Sequence, residues 1–317
     1  MWRVVSGVVL LLGAAGDAPA QLPSGLGTAV TARTGPVEAE MRNVDYRVGA
    51  DIVLRIAYLR GALVPTSDAP PWFEDPSSFV LSIDSADVAI TTASLAALLN
   101  SYTFHYDGSP LRGLEIRIAG TGLELEGTLD KTINLPFKMR VALHVTQDGR
   151  LRLRPSSVRV AGIGVRGLMR TFSIELDDMV KVRGGRGVMV HENDFYLSPA
   201  ELLPPPRIRG RLQSLRLSGD TIIQTFVDRS RRGRARPLAR GNLPRNYMFY
   251  RGNLLRFGKL MMHDADLLIV DQDPRDPFDF FLARLNDQLV AGATRNEPDF
   301  GLVTAWPDFH DLRNRRR

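Results

Sequence analysis

The stretch INLPFKMRVALHVTQDGRLRL, residues 133–153, decides the fold. Its first part alternates between apolar and mostly polar side chains, as expected when one face of a β-strand is buried. The alternation continues for about 13 residues, whereas strands in globular proteins usually have about 5–6. Asp148 and Gly149 then form a dipeptide typical of a hairpin turn. The apolar positions are Ile133, Leu135, Phe137, Met139, Val141, Leu143 and Val145.

Similar patterns recur on both sides of this long strand. In one of them, Leu54, Ile56 and Tyr58 share a predicted face. Apolar residues at i, i+3, i+4 and i+7 predict helices elsewhere. The sequence therefore predicts an α+β fold, with a long, curved, mostly antiparallel β-sheet packed on a few amphipathic helices. The other predicted strands lie within 79–90, 114–129 and 247–271, and the longer helices over 92–102, 165–182 and 278–291.

The N-terminus has the pattern of a cleavable signal peptide. Arg3 precedes an apolar run, and Ala18-Pro19-Ala20 is a small-residue site before Gln21. The run is about 12 residues long, which is too short for a membrane-spanning helix of about 20 residues. We therefore expect a periplasmic or secreted protein with possible peripheral contact to a membrane. The chain has no cysteine, so its fold depends on packing and not on disulfides.

The net charge of +6 at pH 7 is carried mainly by arginine. Such a charge favours anionic partners, and export makes phospholipid or an anionic membrane surface a better candidate than nucleic acid. An arginine-rich run, RSRRGRARPLAR, could hold lipid headgroups or could be a solvated linker. The oligomeric state is left open. The arginines proposed for headgroup contact are Arg229, Arg231, Arg232, Arg234 and Arg236.

The arginine-rich run also marks a boundary in the chain. The residues before it are β-rich, and those after it combine strand and helix patterns. The predicted segments are a signal peptide (1–20), a flexible lead-in (21–40), a β-rich domain (41–226), an Arg-rich linker (227–245) and a C-terminal β/α extension with a basic tail (246–317).

Acidic side chains are densest between residues 263 and 279. Several carboxylates close together suit hard cations, but the spacing does not match an EF-hand loop. The Asp-Pro pairs at 273–274 and 276–277 are also typical of turns. The chain has no G-x-S-x-G motif and no cysteine, so we expect no catalytic site. Its five histidines include no metal-spaced pair such as H-E-x-x-H, and we expect no metal or cofactor. The cluster comprises His263, Asp264, Asp266, Asp271, Asp273, Asp276 and Asp279.

Residues 84–226 resemble the LmeA-like phospholipid-binding family of bacterial envelope proteins. Four stretches carry the resemblance in order: SADVAITTASLAALLNSY, LRGLEIRIAGTGLELEG, LPFKMRVALHVTQDGRLRLRPSSVRVAGIGV and ELLPPPRIRGRLQSLRLSGDTIIQ. The family architecture is a curved antiparallel sheet on helices with an elongated apolar groove, in the style of tubular lipid-binding domains. The resemblance implies a groove lined by Leu135, Phe137, Met139, Val141, Leu143, Leu168, Phe172 and Leu176.

Together these features favour an exported envelope protein that binds phospholipid or another acyl ligand, with a role in lipid transport or envelope maintenance. The alternation alone does not distinguish a groove from a filled core. Two other hypotheses therefore stay open. One is a hydrolase of envelope lipid or glycan that uses the acidic cluster at 263–279, and the other is a structural envelope protein with a filled core.

The signal peptide gives a direct test. If cleavage follows Ala20, the protein in the envelope fraction should begin at Gln21 because the apolar run is removed during export. Mass spectrometry of the intact protein would detect this N-terminus. Recovery of a chain that retains Met1 from a soluble cytoplasmic fraction would contradict the expected export.

Overall fold

A computed structural model describes residues 34–129, 134–160, 163–164, 187–227 and 242–315. These residues form mostly β-sheet with a few short helices, which confirms the predicted α+β class. The predicted signal peptide, the predicted helix at 165–182 and most of the arginine-rich linker lie outside the described residues. No helix in the described part of the chain is long and apolar enough to cross a membrane.

The larger sheet brings together strands from both ends of the chain. Its main path runs β12-β13-β3-β2-β1-β14-β15-β18-β17, with β11 paired to β3 and β16 paired to β1. The strands are β1 (Val37–Gly49), β2 (Ile52–Pro65), β3 (Phe79–Thr91), β11 (Arg207–Arg209), β12 (Leu212–Ser218), β13 (Thr221–Val227), β14 (Tyr247–Phe257), β15 (Leu260–Asp271), β16 (Phe278–Phe281), β17 (Ala293–Glu297) and β18 (Gly301–Trp306).

The smaller sheet is built from the middle of the chain in the order β4-β5-β6-β7-β10-β9, with β8 paired to β7. Its neighbours along this path are antiparallel. The strands are β4 (Leu111–Ala119), β5 (Gly122–Leu129), β6 (Leu135–Val145), β7 (Leu151–Val160), β8 (Ile163–Gly164), β9 (Val188–His191) and β10 (Asp194–Leu197).

Strand β6 confirms the alternation that decides the fold. Phe137, Met139 and Val141 are buried on its inner face. On the outer face, Lys138 and Arg140 form ion pairs with Glu124 of β5. Period-two alternation therefore separates an apolar core side from a charged outer side, as the strand geometry requires.

The helices are short. The Thr91 side chain caps the first one by accepting a hydrogen bond from the Ser94 N–H at 3.1 Å. A π-helical turn, Leu99–Thr103, extends this helix. Single 3-10 turns occupy Pro76–Ser78 and Leu282–Arg284. The helices are α1 (Thr92–Leu98), α2 (Pro199–Leu202), α3 (Leu285–Ala291) and α4 (Phe309–Arg315).

The predicted helix over 278–291 is wrong in its first part. Residues Phe278–Phe281 form β16, which pairs in parallel with β1. Phe278 and Phe280 are buried at 0% and 1% exposure, with Asp279 between them. Pairing with a strand more than two hundred positions earlier overrides the local helical spacing, and only 285–291 is α-helical.

The predicted face of β2 also needs a correction. Leu54 and Ile56 are buried together, but the third buried side chain is Leu59, at 2% exposure, and not Tyr58. The register with β3 shifts between Ile56 and Tyr58. An extra residue in a β-bulge turns the following side chains to the opposite face, so a strict period-two reading fails beyond it.

The end of the predicted lead-in and strands of the predicted C-terminal extension belong to the larger sheet. Strand β1 begins at Val37, inside the expected lead-in of 21–40. Strand β14 pairs antiparallel with β1, with Glu38 opposite Arg251. The described residues all belong to one compact unit, and strands from both 41–226 and 246–317 pair within the larger sheet.

The close approach of β2 and β3 gives a stability test. A Cβ atom at Gly61 would lie 2.2 Å from the Ser82 carbonyl oxygen, so Gly61→Ala forces the backbone to move. We expect the free energy of unfolding to fall by about 1–3 kcal/mol, as for other overpacked sites. Urea denaturation measures it. Gly35→Ala is the control because its nearest neighbour would be 3.8 Å away. Equal stability of the two variants would contradict the described packing.

Candidate functional site

An apolar pocket of about 200 Å³ lies between the two sheets. The larger sheet supplies one wall from the inner faces of β1, β2, β3 and β13. The register between β2 and β3 shifts at the bulge described above and again between Arg60 and Gly61. These shifts keep the wall apolar along strands whose strict alternation would otherwise have turned charged residues inward. The wall residues from these strands are Met41, Val48, Leu54, Ile56, Leu59, Leu81, Ile83, Val88, Ile90, Ile222 and Phe226.

The smaller sheet and the connecting segments close the other sides of the pocket. Helix α1 contributes its apolar face, and the chain that leaves β10 passes through α2 into the run Pro204–Pro206. Proline has no backbone N–H, so this run lines an apolar space without leaving a donor unpaired. The remaining major contributors are Leu95, Leu98, Leu99, Ile116, Leu123, Leu125, Leu143, Leu151, Leu153, Leu197 and Leu202.

Polar groups are rare in the described lining, where only Tyr46, Arg47 and Gln224 carry them. The Arg47 guanidinium donates two hydrogen bonds to Asp279, at 2.5 and 3.0 Å, and one to the Ala50 carbonyl at 3.1 Å. Burial raises the pKa of the Tyr46 phenol, which therefore stays neutral. The pocket thus offers a mostly apolar surface suited to hydrocarbon, and its one charged lining group in the described residues, Arg47, is paired with Asp279.

Few of the predicted lining residues border this pocket. Leu143 does, whereas Phe137, Met139 and Val141 are buried in the core and Leu135 packs against it. The described lining does not include these four. The predicted lining residues Leu168, Phe172 and Leu176 lie outside the described residues, as do the predicted headgroup residues Arg229, Arg231, Arg232, Arg234 and Arg236.

Sequence analysis missed the wall formed by β2 and β3. The signal was present, since Leu54, Ile56, Leu81 and Ile83 all alternate with polar or small residues. Alternation identifies an inward face but does not identify which inward side chains meet another side chain and which meet a cavity. That distinction depends on how the two sheets face each other.

The acidic cluster predicted at 263–279 is divided by the structure. Asp266 pairs with Arg251 at 2.5 and 2.9 Å along the middle of β15, and Asp264 is exposed there. Asp276 instead lies with Asp308 and His310, which come from the segment after β18. One ligand atom from each of these three residues lies within 4.8 Å of the other two.

The carboxylates around this second group have different pKa values. Burial, with the nearby Asp271 and Asp276 charges, raises the pKa of Asp308 to about 7. Burial also raises the pKa of Asp271. Hydrogen bonds from Arg275 lower the pKa of Asp273 to about 2, so this half-buried carboxylate stays charged and is already paired with its own neighbour.

Comparison of the chain with models of protein families, with curated proteins and with solved structures gave no match. The case for a function therefore depends on the chemistry of the pocket and of the side-chain clusters.

Two residues on the same face of β6 test whether the pocket is open space. Met139 is fully packed, so Met139→Ala should lower the free energy of unfolding by about 2–5 kcal/mol. Leu143 is half-buried and faces the pocket, so Leu143→Ala should cost at least about 1 kcal/mol less, because fewer contacts are lost. Urea denaturation of both variants measures the difference, and equal losses would indicate a filled core at Leu143.

Proposed function

We propose that this protein is exported to the bacterial envelope and binds an acyl ligand, such as a phospholipid chain, in the pocket between its sheets. The observation that carries this proposal is the lining of the pocket, which is almost entirely leucine, isoleucine, valine and proline in the described residues. Ligand sites combine an apolar lining with few polar groups, and here the polar groups are already neutral or paired.

The size of the pocket fits a segment of hydrocarbon. Drug-sized ligands occupy pockets of about 300–1,000 Å³, whereas a leucine-lined cavity of about 150 Å³ in another protein stays dry and binds benzene. A volume of about 200 Å³ therefore suits part of one acyl chain, not a whole lipid. Each buried methylene contributes about 0.8 kcal/mol, so five would contribute about 4 kcal/mol.

The rest of a bound lipid would stay outside this space, with its headgroup in a polar environment. The net charge of +6 favours an anionic headgroup, and the arginines at 229–236 are our proposed contacts for it. The resemblance of residues 84–226 to the LmeA-like phospholipid-binding family supports the same ligand class. The signal-peptide pattern supports delivery to the compartment in which such lipids occur. A role in lipid transport or envelope maintenance follows from this combination.

Binding of a fluorescent fatty acid tests the proposal directly. The purified protein should enhance the emission of cis-parinaric acid with a saturable, one-site curve. Leu143→Trp should weaken this binding at least tenfold, because an indole ring in the pocket displaces about two methylenes of the ligand, worth about 1.6 kcal/mol in total. Competition by phosphatidylglycerol would extend the result from fatty acid to phospholipid.

The matched control is His144→Trp. His144 is the next residue of β6 and is exposed on the opposite face, so the same ring is added without entering the pocket. Its affinity should equal that of the parent protein. If the parent does not bind, or if both tryptophan variants bind equally well, the proposed pocket function is wrong and the filled-core hypothesis is favoured.

A further inference from the structure

The parallel pairing of β15 with β18 brings distant acidic residues to one edge of the larger sheet. Asp271 is the last residue of β15 and lies opposite Trp306, the last residue of β18. The carboxyl ends of parallel strands meet at the same edge. The loop after β15 carries Asp276, and the segment after β18 carries Asp308 and His310. The strand pairing therefore brings together acidic residues that lie about thirty positions apart in the sequence.

The three side chains have the spacing of a metal-binding site. One oxygen of Asp276, one oxygen of Asp308 and one ring nitrogen of His310 all lie within 4.8 Å of one another. An ion bound at about 2.0–2.2 Å from each ligand atom would hold those atoms at most about 4.4 Å apart. Small side-chain rotations therefore close the site, and Asp276 is in an exposed loop that permits them.

Asp308 provides an independent indication of a ligand. It is 2% exposed, and its Oδ1 atom accepts a hydrogen bond from the Asp279 N–H at 2.6 Å. Its Oδ2 atom has no hydrogen-bond partner among the described residues. A carboxylate on so buried a side chain is costly to keep charged unless further donors or a cation balance it.

His310 is held in a fixed orientation by a buried carboxylate. Its Nδ1 atom lies 3.0 Å from Asp279 Oδ2, and its backbone N–H donates to the same oxygen at 3.1 Å. Asp279 is itself fixed by the Arg47 guanidinium. A carboxylate at one ring nitrogen orients the other nitrogen toward the metal in many histidine metal sites. The other ring nitrogen, Nε2, lies 3.6 Å from Asp311 Oδ1, and as a metal ligand it would exchange this contact for the ion.

The excess of carboxylates in the cluster also favours binding of a cation. The negative charges of Asp271, Asp276 and Asp308 repel one another. In the described part of the chain no lysine or arginine forms an ion pair with these three carboxylates. Within the described ranges, Asp271 accepts hydrogen bonds only from neutral donors, the Asn246 side chain and the Asp273 N–H. The nearby arginines are engaged elsewhere, Arg47 with Asp279 and Arg275 with Asp273.

We propose that Asp276, Asp308 and His310 bind a divalent transition-metal cation of the Zn²⁺ type. Imidazole nitrogen suits Zn²⁺, whereas Mg²⁺ and Ca²⁺ prefer oxygen ligands alone. Three protein ligands leave a tetrahedral ion one open position for water or another ligand. None of these three residues lines the pocket. The site combines Asp276 of the acidic cluster with two residues that lie about thirty positions after that cluster.

Calorimetric titration of the metal-free full-length protein with Zn²⁺ tests this site. We expect one ion per chain, much weaker binding of Mg²⁺, and a higher melting temperature in the presence of Zn²⁺. Asp276→Asn should weaken Zn²⁺ binding at least tenfold, because it removes one charged ligand from an exposed loop without disturbing the core. His310→Gln should have a similar effect.

Two exposed residues of the other half of the acidic cluster provide matched controls. Asp264→Asn and His263→Gln make the same chemical changes on β15, away from the proposed site, and should bind Zn²⁺ as the parent does. The proposal is overturned if the parent binds no stoichiometric Zn²⁺, or if the control variants lose as much affinity as Asp276→Asn and His310→Gln. Neither titration involves lipid, so failure here would leave the fatty-acid result unaffected.

Discussion

Burial of the facing apolar sides of the two sheets is the interaction on which the rest of this structure depends. Strands as long as β2, β3 and β6 each carry a row of large aliphatic side chains on one face. Every such side chain contributes about 1.5–3 kcal/mol when it leaves water, which neither sheet could gain alone. The two faces fill most of the space between them, and the pocket is the part that side chains of the described residues leave unfilled.

Sequence patterns predicted the elements of this arrangement better than their contacts. The α+β class and the alternation of β6 follow from local periodicity, and the structure confirms them. The errors at Tyr58 and at 278–281 have a common cause. A bulge and a parallel partner strand are set by neighbours that are distant in sequence, and local spacing carries no information about either.

The apolar pocket and the proposed metal site also depend on contacts that local sequence patterns do not reveal. The family resemblance implied that both Leu143 and Met139 line a groove, but of these two only Leu143 borders the pocket. The acidic cluster was visible in the sequence, but its members divide between two places. Asp276 finds its partners, Asp308 and His310, only through the pairing of β15 with β18. The sequence showed which residues could bind a metal, but the strand topology was needed to show which of them lie close together.

Strand β1 has a consequence for how this chain reaches its native state. It pairs with β2, its neighbour in sequence, but also with β14 and β16, which are made more than two hundred residues later. Such a topology has high contact order, and it folds slowly because the entropy of closing a long loop is lost before the strand pairing stabilises the chain. Until β14 arrives, β1 presents an unpaired edge that can recruit other chains. Holding the nascent chain apart from its neighbours until its C-terminal strands are complete is therefore a requirement of the fold itself.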